Sequence, residues 1–428
     1  MSQKDLDIKV NQGYSYAKKT YEAFGIDTDA VLEKMKSRQI SLHCWQGDDV
    51  NGFEVTAGGT GGGILSTGNY PGRARSGDEL RSDYEKALSL IPGKHRINLH
   101  AIYAETDGEL VERDQIKVEH FSKWIDWAKK LGVGMDFNPS CFGHPMADSG
   151  FTLGSKNEEI RHFWIRHVKA CREIAAGIGK ELGTPCVMNI WVPDGMKDIP
   201  ADRLGYRQNM IKALDEILAV KYDRKYLIDA LESKLFGIGV ESYTVVSHEF
   251  VMGYGLKNNV TICYDMGHFH LTESIADKIS ATLLYVDDLL MHVSRPVRWD
   301  SDHVVILNDD LIAVAQEVKR CDAFDKVHYA LDFFDGSINR ITAWVTGTRA
   351  ALKSIMIALL EPTNMIVTEE DNGNYGNRLA LMEEFKTLPF GAVWDKYCFD
   401  MGVPVSADWL KNVKEYEESV LLKRNKED

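Results

Sequence analysis

The sequence predicts an α/β protein: a (β/α)8 barrel followed by an all-helical C-terminal extension. Eight short, β-rich apolar runs that end in polar residues recur through the middle of the chain. Amphipathic stretches with apolar residues at spacings of three and four lie between them. Beyond the eighth run the pattern is helical throughout.

Taken in order, residues 1–36 read as a helical lead-in, and residues 37–336 carry the barrel. The strand candidates are 40–44, 97–103, 133–137, 186–192, 226–231, 260–264, 289–293 and 327–331. Helix candidates between them include 118–131, 157–178, 207–220, 276–284 and 311–320. Regular alternation of strand and helix predicts a parallel sheet with helices outside, and eight repeats favour closure into a barrel. Residues 337–428 form the extension, helical over 338–361 and 379–420 and punctuated by Pro362, Pro389 and Pro404. Such a segment packs either on a neighbouring subunit, the reading preferred here, or on its own barrel.

The composition, 44% hydrophobic and 27% charged over 428 residues, supports a folded chain. A net charge of -14 opposes phosphate backbones and anionic lipid, and no basic patch offsets it. Lys411, Lys414, Lys423, Arg424 and Lys426 are interleaved with acids. Neither nucleic acid nor membrane is expected as a partner. Met1 to Val10 contain no apolar leader, and the seven cysteines lack metal or disulfide spacing, so the expected location is the cytoplasm. The glycine-rich segment 56–75 lacks the ending of a P-loop and reads as a mobile loop after the first strand, placed where a lid could act.

Polar residues follow the strands in turn: His43, Trp45 and Asp49, then His100, Asn138, Trp191, Glu232 with Lys234, Asp265 with His268, His292 and Asp332. A barrel brings strand ends to one mouth. Glu232, Asp265, His292 and Asp332 are spaced by 33, 27 and 40 residues, about one strand–helix unit each. Three carboxylates beside one imidazole call for a cation, and the donor set suits Mn2+, Mg2+ or Co2+. A second candidate set is His268 with Asp300 and Asp302. Lys234, two residues beyond Glu232, either neutralises carboxylates, holds a substrate oxygen, or faces solvent. Trp45, Trp191 and Trp299 are equally compatible with stacking on a sugar and with core packing.

The motifs HCWQGDD (43–49), TGNYPG (67–72), NLHAIY (98–103), DFNPSCF (136–142), NIWVPDGMKD (189–198), ESKLFGIG (232–239), DMGHFH (265–270), HVSRPVRWDSDHVV (292–305) and LDFFDGSINR (331–340) together resemble the L-rhamnose isomerases, from about residue 14 to residue 420. The resemblance implies a TIM barrel, a homotetramer, and conversion of L-rhamnose to L-rhamnulose in rhamnose catabolism. It implies two divalent ions per subunit, usually Mn2+, with Co2+, Mg2+ or Zn2+ at one site. Glu232, Asp265, His292 and Asp332 would hold a structural metal, and His268, Asp300 and Asp302 a catalytic one. Lys234 and Asp332 would act in catalysis, and Trp45, His100, Trp191 and Lys234 would contact the sugar. Hydrogen would move between C2 and C1 as a hydride, the competing route being an ene-diol with a side-chain base. Two other classes fit less well. A metal-dependent hydrolase of abasic DNA needs a basic groove, and a non-catalytic sugar binder has no use for the DxD pair.

Overall fold

The computed structural model describes residues 2–54, 66–235 and 242–424. Eight strands form the barrel: β1 Ile40–His43, β2 Arg96–His100, β3 Gly134–Asn138, β4 Cys186–Ile190, β5 Leu227–Glu232, β6 Thr261–Asp265, β7 Leu289–Val293 and β8 Val327–Leu331. Each overlaps one of the eight apolar runs. All neighbours are parallel, and β1 pairs with both β2 and β8, closing the ring.

Each strand is followed by a helix: Gly77–Leu88, Ser122–Leu131, Glu158–Leu182, Arg203–Ile217, His248–Asn258, Ala276–Leu283, Asp309–Arg320 and Arg340–Leu359. Capping side chains fix several starts. Ser76, Asn157, Asn308 and Asn339 accept backbone N–H groups of the first turn, each contributing about 1 kcal/mol. Gly132 and Gly183 end two of the helices in left-handed geometry. The helices Gly77–Leu88 and His248–Asn258 were not among the sequence candidates. The first is dominated by charge, and the second carries Gly253 and Gly255 within its span. The eighth helix packs on Asp309–Arg320 and on β1, so a barrel boundary at 336 separates β8 from its own helix.

Alternation along the strands divides the interior in two. Cys186, Met188 and Ile190 of β4 face the helices and join the main core, whereas Val187 joins Ile228, Ala230, Cys263, Leu290 and Ala330 in a small apolar cluster. This cluster lies in the barrel beneath the residues at the C-terminal mouth, and its Val187, Leu290 and Ala330 line a cavity together with Ser41, Asn98, Asp136 and Asn189.

Beyond the ring, Phe390–Asp400 packs on the N-terminal helix Gln3–Glu22, and Tyr397 Oη donates to Met35 O. The chain end also returns to its own barrel. Arg424 donates to both carboxylate oxygens of Asp83, at 2.7 and 2.9 Å, and to Gly72 O. Between these segments, Thr363–Asp371 buries only Ile366, and Tyr375–Phe385 buries no residue. Among the described residues no single helix is long and apolar enough to cross a membrane. Of the glycine-rich segment, residues 56–65 lie outside the described residues, and the lid expected there lies with them.

Candidate metal centre

Parallel strands deliver their C-terminal ends to one mouth. Glu232 and Asp265 end β5 and β6, His292 is the penultimate residue of β7, and Asp332 follows β8. Register places Asp265 beside His292. One ligand atom from each of the four lies within 4.8 Å of the others. His292 Nδ1 stands 3.2 Å from Asp332 Oδ2, 3.4 Å from Glu232 Oε2 and 3.6 Å from Asp265 Oδ2. Glu232, Asp265 and His292 are buried, and Asp332 is half-buried.

Burial disfavours an imidazolium at His292, but Cys263, Glu232, Asp265 and Asp332 around it hold its pKa well above the usual value. Burial likewise raises Asp332, and the hydrogen bond and charge of His292 reverse this and bring it below the carboxylate norm. A buried positive charge is therefore favoured at the centre of these side chains. Asp265 Oδ2 and His292 Nε2 are buried without a hydrogen-bond partner among the described residues, and Glu232 Oε1 lies 2.9 Å from His268 Nδ1. Unsatisfied buried ligand atoms among carboxylates and one imidazole fit a divalent cation, for which an oxygen-rich set with one nitrogen is apt.

The second set assembles only in part. His268 Nε2 lies 3.4 Å from Asp300 Oδ2, and Lys234 Nζ is inserted beside both, donating to His268 Nε2 at 2.9 Å and to Asp300 Oδ2. His268 Nδ1 donates to Ser233 O at 2.8 Å and stands 2.9 Å from Glu232 Oε1, which orients the ring and leaves Nε2 facing the lysine. Burial opposes the Lys234 ammonium, yet Asp300 and Asp302 hold its pKa above the ordinary range. The Asp302 carboxyl is pushed well up by burial and by Asp300. Among the described residues, the ligand groupings are the quartet and Glu232–Cys263–His292, and Asp302 joins neither.

Comparison with known proteins decides the family. The family model described as L-rhamnose isomerase (RhaA) matches residues 8–424. The L-rhamnose isomerase of Klebsiella pneumoniae (strain 342) is 56% identical over 419 residues, covering 98% of this chain and 100% of that protein. Those of Citrobacter koseri and Escherichia coli (strain SMS-3-5 / SECEC) are also 56% identical, with the same coverage. The chain belongs to the L-rhamnose isomerase family. It is an aldose–ketose isomerase acting on L-rhamnose.

Around the isomerase's centre stand the residues expected to touch sugar. Trp45 is buried, donates from Nε1 to Asp332 Oδ1 at 3.1 Å, and meets His43 and His100 edge-on at 5.0 and 4.9 Å. His100 is kept neutral by burial, its pKa lowered to about 3, with Nδ1 3.2 Å from Ser140 Oγ. Lys234 Nζ lies 5.4 Å from the Trp191 ring centre, and the Trp191 indole N–H has no partner among the described residues. Trp299 stands apart: 59% exposed, it lies on the antiparallel ribbon of Arg295–Val297 and Trp299–His303 and is not a core residue. Asp49 is tied outward by Arg340, whose guanidinium donates to both its oxygens at 2.9 and 2.6 Å.

Several supporting residues escaped the sequence reading. Asn189 Nδ2 donates to Glu232 Oε2, while Ser294 Oγ and the Gly267 N–H donate to Asp265 Oδ1 at 3.1 and 2.6 Å. Cys263 lies against Glu232 and His292. A period-two signal was present for three of them: Asn189 precedes Trp191 by two, Cys263 precedes Asp265 by two, and Ser294 follows His292 by two.

Proposed function

We propose that the isomerase works with two divalent cations, usually Mn2+, one held by Glu232, Asp265, His292 and Asp332 and one by His268, Asp300 and Asp302. The observation that carries this reading is the buried quartet, with Asp265 Oδ2 and His292 Nε2 lacking hydrogen-bond partners among the described residues. When bound, such cations supply Lewis acidity to the sugar's carbonyl oxygen. The remaining steps belong to the chain. Trp45 and Trp191 bound the open-chain sugar, and His100, neutral, offers it a hydrogen bond. Lys234, charged, is placed to steady the oxygen that becomes negative as the C1 carbonyl is reduced. The C2–H bond breaks with its electron pair and the hydrogen joins C1. The O2 proton leaves as C2 becomes the carbonyl, and the net transfer places a proton on O1. Asp332, held by Trp45 Nε1, orients the water that carries that proton.

Two measurements test this. Chelation should abolish activity and added Mn2+ restore it, and full activity in the metal-free protein would refute the two-cation reading. L-rhamnose deuterated at C2, turned over in ordinary water, should keep its label at C1, whereas complete washout would establish the ene-diol route.

The same reading makes the protein a cytoplasmic homotetramer. Its subunit contacts would be supplied by the C-terminal extension, in which Tyr375–Phe385 has no fully buried residue and touches the N-terminal helix's end through Phe385 against Phe24. Light scattering of the full chain checks this, with a monomer at micromolar concentration as the contrary result.

A further inference from the structure

Beneath the metal centre the barrel is hollow. A cavity of about 130 Å3 runs from the exposed N-terminal rim at Ser37, Gln39 and Asp325 inward to Asn189, the residue whose amide donates to Glu232 Oε2. Two polar atoms on its lining residues are buried and unpartnered among the described residues, Asn189 Oδ1 and Tyr329 Oη, and those residues are only 3% and 5% exposed. The charged groups of the wall are already matched. Asp136 accepts from Arg96 Nε and Nη2 at 2.9 and 2.8 Å, from Ser41 Oγ at 2.6 Å and from the Val187 N–H at 2.9 Å. At the rim Arg38 donates to Asp325 at 2.9 Å, and His328 Nε2 lies 3.3 Å from Asp288 Oδ2. Among the described residues of the wall no charge is left over to select an ion, so the occupant that fits is small, neutral and able both to donate and to accept.

We propose that this cavity is a water-filled chamber, entered from the pole opposite the sugar mouth, whose innermost water donates to Asn189 Oδ1 and so fixes the amide that orients Glu232. A space of this size holds several waters, and a polar wall retains them where an apolar one stays dry. Water on Oδ1 decides which way round the Asn189 amide sits. With its carbonyl hydrated, the NH2 group is left for the carboxylate, whereas the reversed amide sets two oxygens against each other. Water at Tyr329 Oη likewise offsets the cost of burying an unpartnered hydroxyl. Asn189 is thus a positioning residue held from two sides, by solvent from below and by Glu232 from above. The quartet's donors stay as they are, and only the link from water to cation binding rests on the quartet being a cation site.

Diffraction from crystals of the full-length protein, with and without pressurised xenon, tests the chamber directly. The expected result is ordered water within hydrogen-bond distance of Asn189 Oδ1 and Tyr329 Oη, and no xenon. Xenon in the cavity, or no water at Asn189 Oδ1, overturns the proposal. In solution Tyr329→Phe should lower the urea midpoint, because it takes a partner from the water; an unchanged or raised midpoint, the mark of an orphan hydroxyl, counts against a hydrated chamber. The link to the metal centre is read from two variants of equal shape at Ala330, which lines the chamber. Ala330→Val should weaken Mn2+ binding by about tenfold, and Ala330→Thr, whose hydroxyl can stand in for the water it displaces, should weaken it clearly less. Equal weakening in both, or none in either, overturns the hold of water on Asn189. Failure of the unsubstituted protein to bind Mn2+ overturns the quartet reading and leaves the hydrated chamber standing.

Discussion

Asn189 shows how a neutral side chain tunes a charged centre. Its amide donates to Glu232 Oε2, the oxygen 3.4 Å from His292 Nδ1, and so orients the Glu232 carboxylate within the quartet. Asn189→Ala should weaken Mn2+ affinity by roughly 10- to 100-fold. Mn2+ titration followed by electron paramagnetic resonance reads this directly, and unchanged affinity would remove Asn189 from the centre's support. His95, distant in role, is held neutral by the fold. Its Nδ1 accepts the Ile40 N–H at 3.3 Å, its Nε2 donates to Pro92 O at 3.1 Å, and burial lowers its pKa from 6.5 to about 4. The unfolded chain therefore takes up the proton first. The contribution is fully present above pH 6.5 and declines as the pH falls to about 4, by up to ~3 kcal/mol. Urea unfolding at pH 7 and pH 4.5 should show a smaller acid loss in His95→Gln than in the unsubstituted protein. Equal losses would count against this account.

At the scale of elements, the long helix Glu158–Leu182 separates propensity from packing. Gly179 lies in its last turns, and intrinsic helix preference makes Gly179→Ala stabilising by about 1 kcal/mol. A Cβ there would stand 2.0 Å from Tyr226 O, the carbonyl that accepts the Cys186 N–H at the start of β4. Overpacking against backbone should win, with a net loss of about 1–3 kcal/mol in chemical denaturation. A stabilised variant would mean that the helix can retreat from the strand. The strands were legible for the opposite reason: their residues face apolar surroundings on the ring side, so the runs stand out whatever the helices do. His248–Asn258 was not legible, because it buries only Val251, Tyr254 and Gly255 and shows little helical periodicity.

For the molecule as a whole, the return of the chain end onto the barrel joins residues more than three hundred apart. Arg424 and Asp83 are both buried, and Tyr416 Oη also donates to Asp83 at 2.8 Å. Arg424→Ala leaves a buried carboxylate without its cation and should cost about 3 kcal/mol or more. Arg424→Met with Asp83→Leu removes both charges and should recover most of that loss in equilibrium unfolding. If the double variant is as unstable as the single one, packing rather than charge holds the strap.

The sequence by itself determined the barrel and the identity of the quartet, because both are written in spacing that recurs once per strand–helix unit. Its motifs also named the family that the full-length relatives then established. Tertiary structure alone decided the rest. That Lys234 lies between His268 and Asp300, that Trp299 faces solvent, that Cys263 meets Glu232 and His292, and that the chain end binds Asp83 all depend on side-chain direction and on register between strands. Spacing along one strand says which face a residue takes, but not which atom of the next strand stands beside it.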